Sequence, residues 1–538
     1  MTKFADWVKT HQAILFFLII GLAARLINYP NRLYFTWDQG RDAFQLQQIL
    51  QGDLTLIGPT SGLAGFFLGP LWYYAGIPGM LLSQGNPYLI SLWYTLIACV
   101  ALPIFWKLGF TLFPEFRERK WAIATAYLLA LLPGSIKGSV FIWNPLLSLP
   151  LVSFGLLALL KSRTSLWWLV AAFLSWALVL QSEFAYGIFF LGPLWLAIAW
   201  LRGKFDWKEY VLSAVSAGIT FIPQLVFELR HHFLMSQSLW KALSSPTDSI
   251  GWWQLWSKRP SELFWVTQQL FFGEMAHTQI LMRLILAVMI WGVWHISKMK
   301  PQSTQWQWQL VAGLAILPYC FYMLWRGNQG NFFDYYVTPH FIFLVPVVVF
   351  GLRSIGQTFA KLSQTWFPVE TLILGVLVTS CVVYLEGQVT FAHNEGGLRN
   401  THQALAQIYD WRTQDQHQDK SGLYMYTSSF KTEQYDYLNQ WYAQAHGEPQ
   451  MHAAPTDRNV WYLLIEPDNF AAEQRFIPWY QEVTDGGVRI RSQKQGQLIL
   501  ETYANRDIGA EMGYLAIPPV EDLVSTTVEV EFLPDHNE

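Results

Sequence analysis

The sequence predicts a polytopic α-helical membrane bundle of about eleven spans, residues 1–387, followed by a soluble α/β domain, residues 388–538. Three observations predict this organisation. The chain of 538 residues is 52% hydrophobic and only 14% charged, whereas soluble proteins carry roughly 25% charged residues. Residues 1–387 hold 25 Lys and Arg against 16 Asp and Glu, whereas residues 388–538 hold 10 against 22. Long apolar runs recur only in the first part.

Eleven apolar stretches approach the ~20 residues that cross a bilayer as a helix. The first contains the run from Ala13 to Ile27, which lacks a small-residue cleavage site and is therefore expected to remain as a signal anchor. Cys99, Cys320 and Cys381 lie within such runs, so we expect neither a disulfide framework nor a cysteine metal site. The predicted spans are residues 12–29, 88–109, 121–136, 144–160, 166–181, 184–201, 210–228, 279–297, 307–325, 338–352 and 370–386.

Basic residues predict the orientation of these spans, because cytoplasmic loops of membrane proteins are enriched in Lys and Arg. Each basic cluster lies two spans after the previous one, as cytoplasmic loops should. The clusters are Lys3 and Lys9; Arg117, Arg119 and Lys120; Lys161 and Arg163; Arg202, Lys204 and Lys208; Lys298 and Lys300; and Arg353 and Lys361. We therefore expect a multi-pass plasma-membrane protein with a cytoplasmic N-terminus and an extracytoplasmic C-terminal domain.

Residues 63–83 test that orientation, because they are apolar enough to look like a further span. Counting them as a span would place the basic cluster at residues 117–120 outside and invert every later loop. A segment that lies along the outer membrane surface keeps the charge pattern intact. We therefore predict that the first outer loop, about residues 30–86, contains interfacial helices.

The tail alternates helical and strand-like patterns, which predicts a small α/β domain. A helix is expected over Thr401–Trp411, and Asp485-Gly486-Gly487 is a turn signal. Strands are expected at Leu423–Tyr426, Val460–Ile465, Val488–Arg491 and Val528–Phe532. No chemical motif is visible in the tail.

The first outer loop holds the most unusual polar residues of the chain. On a helix that starts here, Asp38, Arg41, Asp42 and Gln45 lie on one face, and the opposite face is apolar. Such a helix would lie in the membrane interface and present its polar face to a substrate that arrives from the lipid. Two carboxylates and a guanidinium are costly to desolvate there, which indicates function. The alternative is structural: Asp38 caps the helix, and Arg41 pairs with it or with a lipid phosphate.

Four short motifs in this loop carry a resemblance to a known family. They are Trp37–Ala43 (WDQGRDA), Gly52–Leu54 (GDL), Ile57–Pro59 (IGP) and Phe67–Tyr74 (FLGPLWYY). Together they resemble the first outer loop of GT-C glycosyltransferases, multi-spanning enzymes similar to the protein O-mannosyltransferases and the aminoarabinose (lipid A) transferases. The resemblance covers the bundle, mainly residues 10–230, and not the tail. It implies a fold in which surface-lying helices follow the first span.

The resemblance also implies roles for the loop residues. In the family the acidic residue that opens this loop is the catalytic base, which corresponds to Asp38. In the aminoarabinose enzymes an arginine three residues later contacts the donor phosphate, which corresponds to Arg41. We expect Asp42 to hold Arg41 or the sugar. A carboxylate can take the proton of an acceptor hydroxyl, and a guanidinium binds phosphate oxygens bidentately. The chain departs from the family at Gln39, where the mannosyltransferases have Glu, and over residues 67–71, which lack the lysine of the aminoarabinose enzymes.

Two outer span ends supply further candidates for substrate binding. Glu183 stands between two closely joined spans, where it could bind the acceptor or a metal, or be a hydrated turn residue. Trp143 and Asn144 open another span end. Trp143 could stack on a sugar, and the alternative is an interfacial anchor.

Later loops add four residues. Arg230 closes a stretch that resembles a recurrent family segment and is a candidate for the donor phosphate, with a snorkelling anchor as the alternative. Arg326 is a second candidate for the phosphate. Tyr336 and His340 stand where relatives place donor-binding groups. The alternative for these last three is that they are solvated loop residues.

The sequence therefore predicts a glycosyltransferase that moves a monosaccharide from a polyprenyl-phosphate donor to a protein, lipid or glycan on the outer face of the membrane. No cofactor is expected with certainty, a divalent metal is not indicated, and nucleic acid is not expected as a partner. One rival is a polysaccharide polymerase or ligase with lipid-diphosphate substrates, which would tolerate loss of the Asp38 carboxylate. The other is a lipid-linked-sugar transporter, which would need polar groups deep in several spans.

Overall fold

The computed structural model describes residues 2–188, 207–244, 250–299, 306–326, 330–362, 369–415, 421–429, 431–453, 459–467 and 472–506. The chain divides into two compact units. Unit 1 contains residues 1–29, 49–79 and 91–392, and unit 2 contains residues 30–48, 80–90 and 393–538. Two segments of the first outer loop therefore belong to the same unit as the tail.

Helices make up most of the chain before residue 392. In chain order they are α1 (Thr2–Leu26), α2 (Trp37–Leu50), α3 (Leu71–Ser83), α4 (Pro87–Cys99), α5 (Ala101–Leu112), α6 (Arg119–Leu131), α7 (Pro133–Val140), α8 (Ser148–Lys161), α9 (Leu166–Ser182), α10 (Trp207–Ile219), α11 (Ile222–Arg230), α12 (Leu234–Ser244), α13 (Trp252–Phe272), α14 (Gln279–Ser297), α15 (Trp306–Tyr322), α16 (Phe341–Leu362) and α17 (Val369–Tyr384). Among the described residues, five helical segments are long and apolar enough to cross a membrane, namely Pro87–Leu112, Asn144–Lys161, Gln279–Ser297, Asp334–Ala360 and Val369–Thr390.

Two further candidate spans are helix pairs that bend at a short break. Phe116–Leu131 and Pro133–Val140 meet at 43°, and Trp207–Ile219 and Ile222–Arg230 meet at 58°. The first bend has a local cause, because Leu132 precedes a proline and takes an extended ψ of 143°. If each pair is one span, the described residues hold up to seven candidate spans.

These segments match the predicted spans in part. The five helices and two bent pairs lie where seven spans are predicted, and the shorter apolar helices Gln12–Leu26 and Leu166–Ser182 lie where two more are predicted. Helix α15 occupies most of the predicted span 307–325, while the predicted span 184–201 lies largely outside the described residues. The chain is a multi-pass membrane protein, and the number eleven stays a prediction.

Residues 63–83 do not form one continuous helix. Helix α3 begins at Leu71 and has 13 residues, which gives a length of about 20 Å, shorter than the ~30 Å of bilayer hydrocarbon. The segment before it is irregular and includes a β-bridge between Thr60 and Phe67. This geometry suits a segment that does not span the membrane by itself, and its place on the outer surface stays a prediction.

Arg25 is a charged side chain buried in the bundle. It lies on α1 with no exposed surface. Its Nε donates to Ser139 Oγ at 3.0 Å, and its Nη2 donates to Ser135 Oγ at 2.9 Å. Its Nη1 donates to the carbonyl oxygens of Gly21 and Ala130 at 2.9 and 3.0 Å. Because these acceptors include residues of α6 and α7, the hydrogen bonds of Arg25 connect α1 to both helices of the first bent pair.

The tail is built on a four-stranded sheet. Its strands are β1 (Ser421–Tyr426), β2 (Val460–Ile465), β3 (Gly487–Gln495) and β4 (Leu498–Asn505), in the order β1-β2-β4-β3. Its helices are α18 (Leu398–Gln414), α19 (Glu433–His446) and α20 (Ile477–Thr484). The β1–β2 pair is parallel and the other two pairs are antiparallel. Helix α19 connects β1 to β2, which is the crossover that a parallel pair requires.

The predicted pattern of the tail agrees with most of these elements. The expected strands at residues 423–426, 460–465 and 488–491 coincide with β1, β2 and β3. The expected helix lies within α18, and the expected turn at residues 485–487 leads into β3. The expected strand Val528–Phe532 lies outside the described residues. Strand β4 and helices α19 and α20 were not predicted.

Replacing Arg25 should destabilise the bundle. We expect Arg25→Met to lower the Tm of the purified protein in detergent, because several buried oxygens lose a donor, at a cost of about 1–3 kcal/mol for each group left without one. Thermal unfolding followed by intrinsic fluorescence measures this. Arg283→Met is the matched control, since Arg283 lies on α14 with an exposed side chain. Equal Tm values for the two variants would contradict a structural role for Arg25.

Candidate active site

The start of α2 is fixed by a contact between Thr36 and Gln39. Gln39 Oε1 accepts hydrogen bonds from the Thr36 backbone N–H at 2.6 Å and from Thr36 Oγ1 at 2.7 Å. This is one half of a capping box, in which the side chain of the third helical residue accepts a hydrogen bond from the backbone N–H of the residue before the helix. Asp38 is therefore not the capping residue, and the first structural alternative for it is wrong. The Asp38 carboxylate is therefore available for contacts with other side chains.

Asp38, Arg41 and Asp42 meet on one face of α2, as the helical spacing predicts. Arg41 Nη1 lies 2.8 Å from Asp38 Oδ1. The Nε and Nη2 atoms of Arg41 donate to Asp42 Oδ1 at 2.9 and 2.7 Å. Asp42 is buried, whereas the side chains of Asp38 and Arg41 are each 20% exposed. The exposed part of the cluster is therefore the Asp38–Arg41 pair.

The surroundings of Asp38 change its acidity. Burial raises the pKa of Asp38 to about 6, while Arg41 opposes the rise and Asp42 adds to it. A carboxyl group with this pKa is largely ionised at neutral pH, and it binds a proton more readily than an ordinary aspartate does. Both properties suit a general base.

A second cation, Lys431, lies beside this cluster. Its Nζ is 3.6 Å from the centroid of the Trp37 ring, and the Arg41 guanidinium lies 4.9 Å from the same centroid. Both distances are typical of cation–π contacts. Lys431 comes from the tail and was missed in the sequence, because no local pattern relates it to α2.

Other contacts within unit 2 attach the loop to the tail. The backbone N–H of Leu398 donates to the carbonyl of Leu33 at 2.9 Å. The ring of Tyr437, on α19, packs against Phe44 of α2 with centroids 5.3 Å apart. The Tyr437 hydroxyl donates to the carbonyl of Gly85 at 2.7 Å. The loop segments and the tail therefore hold the polar face of α2 in place together.

Gly40 lies at a close approach between α2 and α19. A Cβ atom built on Gly40 would lie 2.4 Å from backbone atoms of Glu433 and Gln434. Real side chains do not tolerate such a distance, so only glycine fits without a backbone shift. The position of Asp38 and Arg41, on either side of Gly40, depends on this contact.

Unit 1 contains a second polar group, around Glu183. The Asn144 side chain donates to the carbonyl of Ser182 at 2.6 Å. Glu183 is buried, and its Oε1 accepts from the backbone N–H of Ala185 at 3.2 Å. Burial raises the pKa of Glu183 to about 8. The alternative that Glu183 is a hydrated turn residue is therefore wrong.

Tyr336 and His340 lie in a short 3-10 helix, Asp334–His340, and both are buried. The carbonyl of Tyr336 accepts from the Tyr322 hydroxyl at 2.9 Å, and His340 Nε2 lies 2.9 Å from the carbonyl oxygen of Ala315. These two residues are not solvated. Their neighbour Tyr335 contacts the ring of Trp143, with centroids 4.8 Å apart, so the structure brings two of the predicted regions together.

The two later arginines differ in exposure. Arg230 is exposed at the end of α11, while the buried residue of that stretch is Glu228, which accepts from the backbone of Met235. Arg326 is half-buried, and its Nε donates to the carbonyl of Ile250 at 2.8 Å. For Arg326 both interpretations, the phosphate ligand and the solvated loop residue, therefore stay predictions.

Sequence reasoning missed a fully buried arginine of α13, Arg259. Its Nη1 lies 3.2 Å from Glu262 Oε2, and its Nη2 donates to the carbonyl of Gly330 at 3.1 Å. Its guanidinium also lies 4.9 Å from the centroid of the Phe332 ring.

No group of three His, Cys, Asp or Glu side chains within the described part of the chain could hold a metal ion.

The fold is similar to those of ArnT and of an archaeal oligosaccharyltransferase. Two crystal structures of ArnT from Cupriavidus metallidurans, in the apo state and bound to undecaprenyl phosphate, are similar with TM-scores of 0.57 and 0.56 and 13% sequence identity. The likeness covers 92% and 91% of this chain and 98% and 97% of those chains. The Archaeoglobus fulgidus oligosaccharyltransferase, in complex with Zn and sulfate, is similar with a TM-score of 0.50 and 14% identity, over 92% of this chain and 73% of that chain.

No protein-family model and no curated protein sequence matches the chain. At 13–14% identity the likeness concerns the fold alone. It extends over the tail as well as the bundle, because it covers more than nine-tenths of the chain. The resemblance to GT-C enzymes that the first outer loop predicts is thereby confirmed at the level of the fold.

A methyl group at Gly40 should disturb the site by separating α2 from α19. We expect Gly40→Ala to destabilise the protein by about 1–3 kcal/mol, the usual cost of overpacking, and to reduce the activity proposed below. Limited proteolysis of the tail and thermal unfolding measure the first effect. Gly62→Ala is the matched control, because a Cβ there meets no atom within 4 Å among the described residues. Indistinguishable behaviour of the two variants would disprove the role of the contact.

Proposed function

We propose that the protein transfers a monosaccharide from a polyprenyl-phosphate donor to a protein, lipid or glycan acceptor on the outer face of the membrane. The observation that carries this proposal is the Asp38–Arg41–Asp42 cluster on α2. It combines a base and a phosphate-binding group on one helical face. The GT-C fold supports it, and so does the ArnT structure that contains undecaprenyl phosphate.

The proposed reaction is a single displacement with inversion. Asp38 takes the proton of the acceptor hydroxyl as its oxygen attacks the anomeric carbon of the sugar. The bond between that carbon and the phosphate oxygen breaks, and its electron pair leaves with the polyprenyl phosphate. Arg41 stabilises the negative charge that grows on this phosphate in the transition state. Asp42 keeps the guanidinium oriented through its two contacts with Arg41.

Phosphate binding and base activation are coupled in this arrangement. Without donor, the Arg41 guanidinium is shared between two carboxylates. When Arg41 contacts the donor phosphate, its contact with Asp38 weakens. Because Arg41 holds the pKa of Asp38 down, the carboxylate then becomes a stronger base. The donor would thus prepare the base that acts on the acceptor.

The remaining candidates are proposed as substrate-binding groups. Glu183, Asn144 and Trp143 would contact the acceptor or sugar, and Tyr336 and His340 would contact the donor. Arg230 and Arg326 would add positive charge for the donor phosphate. The proposed orientation has the N-terminus in the cytoplasm and the tail outside, as the basic clusters predict.

Loss of the base should slow turnover strongly. In proteoliposomes supplied with a panel of polyprenyl-phospho-sugars, Asp38→Asn should reduce kcat about 10²–10⁴-fold, the usual contribution of a general base. Arg41→Ala should reduce kcat/KM for the same donor. Asp53→Asn is the matched control, because Asp53 is an exposed acid of the same loop.

The rival functions give different results in this assay. A lipid-diphosphate polymerase or ligase would tolerate Asp38→Asn and would not turn over polyprenyl monophosphate sugars. A transporter would move the lipid-linked sugar across the bilayer without forming a glycosidic bond. If Asp38→Asn and Arg41→Ala both turn over every accepted donor like wild type, the proposed mechanism is wrong.

The pH dependence should report the ionisation of Asp38. Because the base acts in its ionised form, kcat/KM should rise with pH through about 6 and level off above it. Arg41 lowers the pKa of Asp38, so Arg41→Ala should shift the rising limb to higher pH. Asp42 raises that pKa, so Asp42→Asn should shift the limb to lower pH. Rate profiles for the three proteins measure this, and midpoints that coincide would assign the limb to another group.

A further inference from the structure

Lys431 belongs to the tail but lies at the start of α2. It stands between β1 and α19, and its ammonium group contacts Trp37 at 3.6 Å. Arg41 contacts the same ring at 4.9 Å. Lys431 and Arg41 come from distant parts of the chain, and both contact the ring of Trp37, the first residue of α2. Like charges near one ring repel each other, and the Asp38 carboxylate, which pairs with Arg41 and is also close to Lys431, offsets that repulsion.

The charges on α2 alone do not favour an anionic ligand. Asp38 and Asp42 both contact Arg41, so with both acids ionised the three side chains carry a net negative charge. This net negative charge would repel a phosphate that approached Arg41. Lys431 cancels this charge, and it lies close enough to Asp38 to lower the pKa of that carboxyl. With Lys431 included, the four side chains are neutral and the repulsion is removed.

The first turn of α19 lies at the same place, and its first residues contact Gly40 of α2. The N-terminal end of a helix carries a partial positive charge, but the first turn of α19, a helix of 14 residues, also holds the acids Glu433 and Asp436. This helix end therefore adds no net positive charge, and the positive charge at this place comes from Lys431 and Arg41. Gln434 in this contact is 7% exposed, and its Oε1 has no hydrogen-bond partner among the residues that the structure describes. Buried acceptors are rarely left without a donor. A hydroxyl group of a bound ligand would supply one.

We propose that Lys431 is a second phosphate-binding group of the donor site, so that the tail completes the site that α2 begins. The inference rests on the proposed function, since it takes the anion to be the phosphate of the polyprenyl-phosphate donor. Arg41 shares its charge with two carboxylates, whereas Lys431 brings a positive charge that balances the excess acid. Lys431 is therefore a binding residue, and Asp38 remains the base.

Binding of undecaprenyl phosphate to the full-length protein in phosphatidylcholine nanodiscs tests this proposal. Lys431→Ala should weaken binding about 10-fold or more, the effect of losing one charge-assisted contact. Lys431→Met should be as weak, because it keeps the apolar packing on Trp37 but removes the charge. Lys431→Arg should keep most of the affinity. Lys494→Ala is the matched control, since Lys494 is exposed on β3, the strand at the opposite edge of the sheet from β1.

Two further ligands separate the donor phosphate from other sources of affinity. Undecaprenol, which lacks the phosphate, should bind the wild type and Lys431→Ala equally. Phosphatidylglycerol in the nanodisc should not compete with undecaprenyl phosphate. If phosphatidylglycerol competes in the wild type but not in Lys431→Ala, Lys431 belongs to a general lipid-phosphate site and the proposal is overturned.

The remaining outcomes distinguish this inference from the proposed function. If Lys431→Ala and Lys431→Met bind undecaprenyl phosphate like wild type while Arg41→Ala binds weakly, the inference is wrong and the proposed function stands. A Lys431→Ala variant with a lower Tm but an unchanged Kd would likewise mean that Lys431 only packs on Trp37. If Arg41→Ala also binds normally and Asp38→Asn turns over normally, the proposed function fails together with the inference.

Discussion

The sharing of the Arg41 guanidinium between Asp38 and Asp42 is the interaction on which the candidate site depends. The three side chains form one electrostatic unit, because moving any of them leaves a charge without its partner in a poorly hydrated place. Two constraints on α2 set their geometry. The contact between Thr36 and Gln39 fixes where the helix begins, and Gly40 fixes how closely it approaches α19.

Much of this site could be predicted from the sequence because its signals are local. Residues three and four apart on a helix must share a face, so the grouping of Asp38, Arg41 and Asp42 follows once a helix is assigned. The same holds for β2, an uninterrupted apolar run that is buried along its whole length. Hydropathy located most of the bundle helices, since bilayer thickness dictates their length. Gln39, where the chain departs from its resemblance to the mannosyltransferases, accepts two hydrogen bonds from Thr36 at the start of α2.

The features that could not be predicted from the sequence depend on contacts between residues far apart in the chain. Lys431 has no pattern that relates it to Trp37, and Arg259 has none that relates it to Gly330 or Phe332. Glu183 and His340 stand next to turns and were therefore open to a solvated interpretation, yet tertiary packing buries both. Helix α19 was missed because polar residues are as numerous as apolar ones along it, and the burial of its aromatic residues depends on contacts with other elements.

The make-up of unit 2 bears on the biosynthesis of the protein. Residues 30–48 leave the ribosome early, whereas α19, which belongs to the same unit, is synthesised almost 400 residues later. Helix α2 can therefore make its contacts with α19 only after the intervening bundle helices have been synthesised. A nascent chain that has reached only the bundle carries Asp38, Arg41 and Asp42 without the surface of α19 that Gly40 contacts.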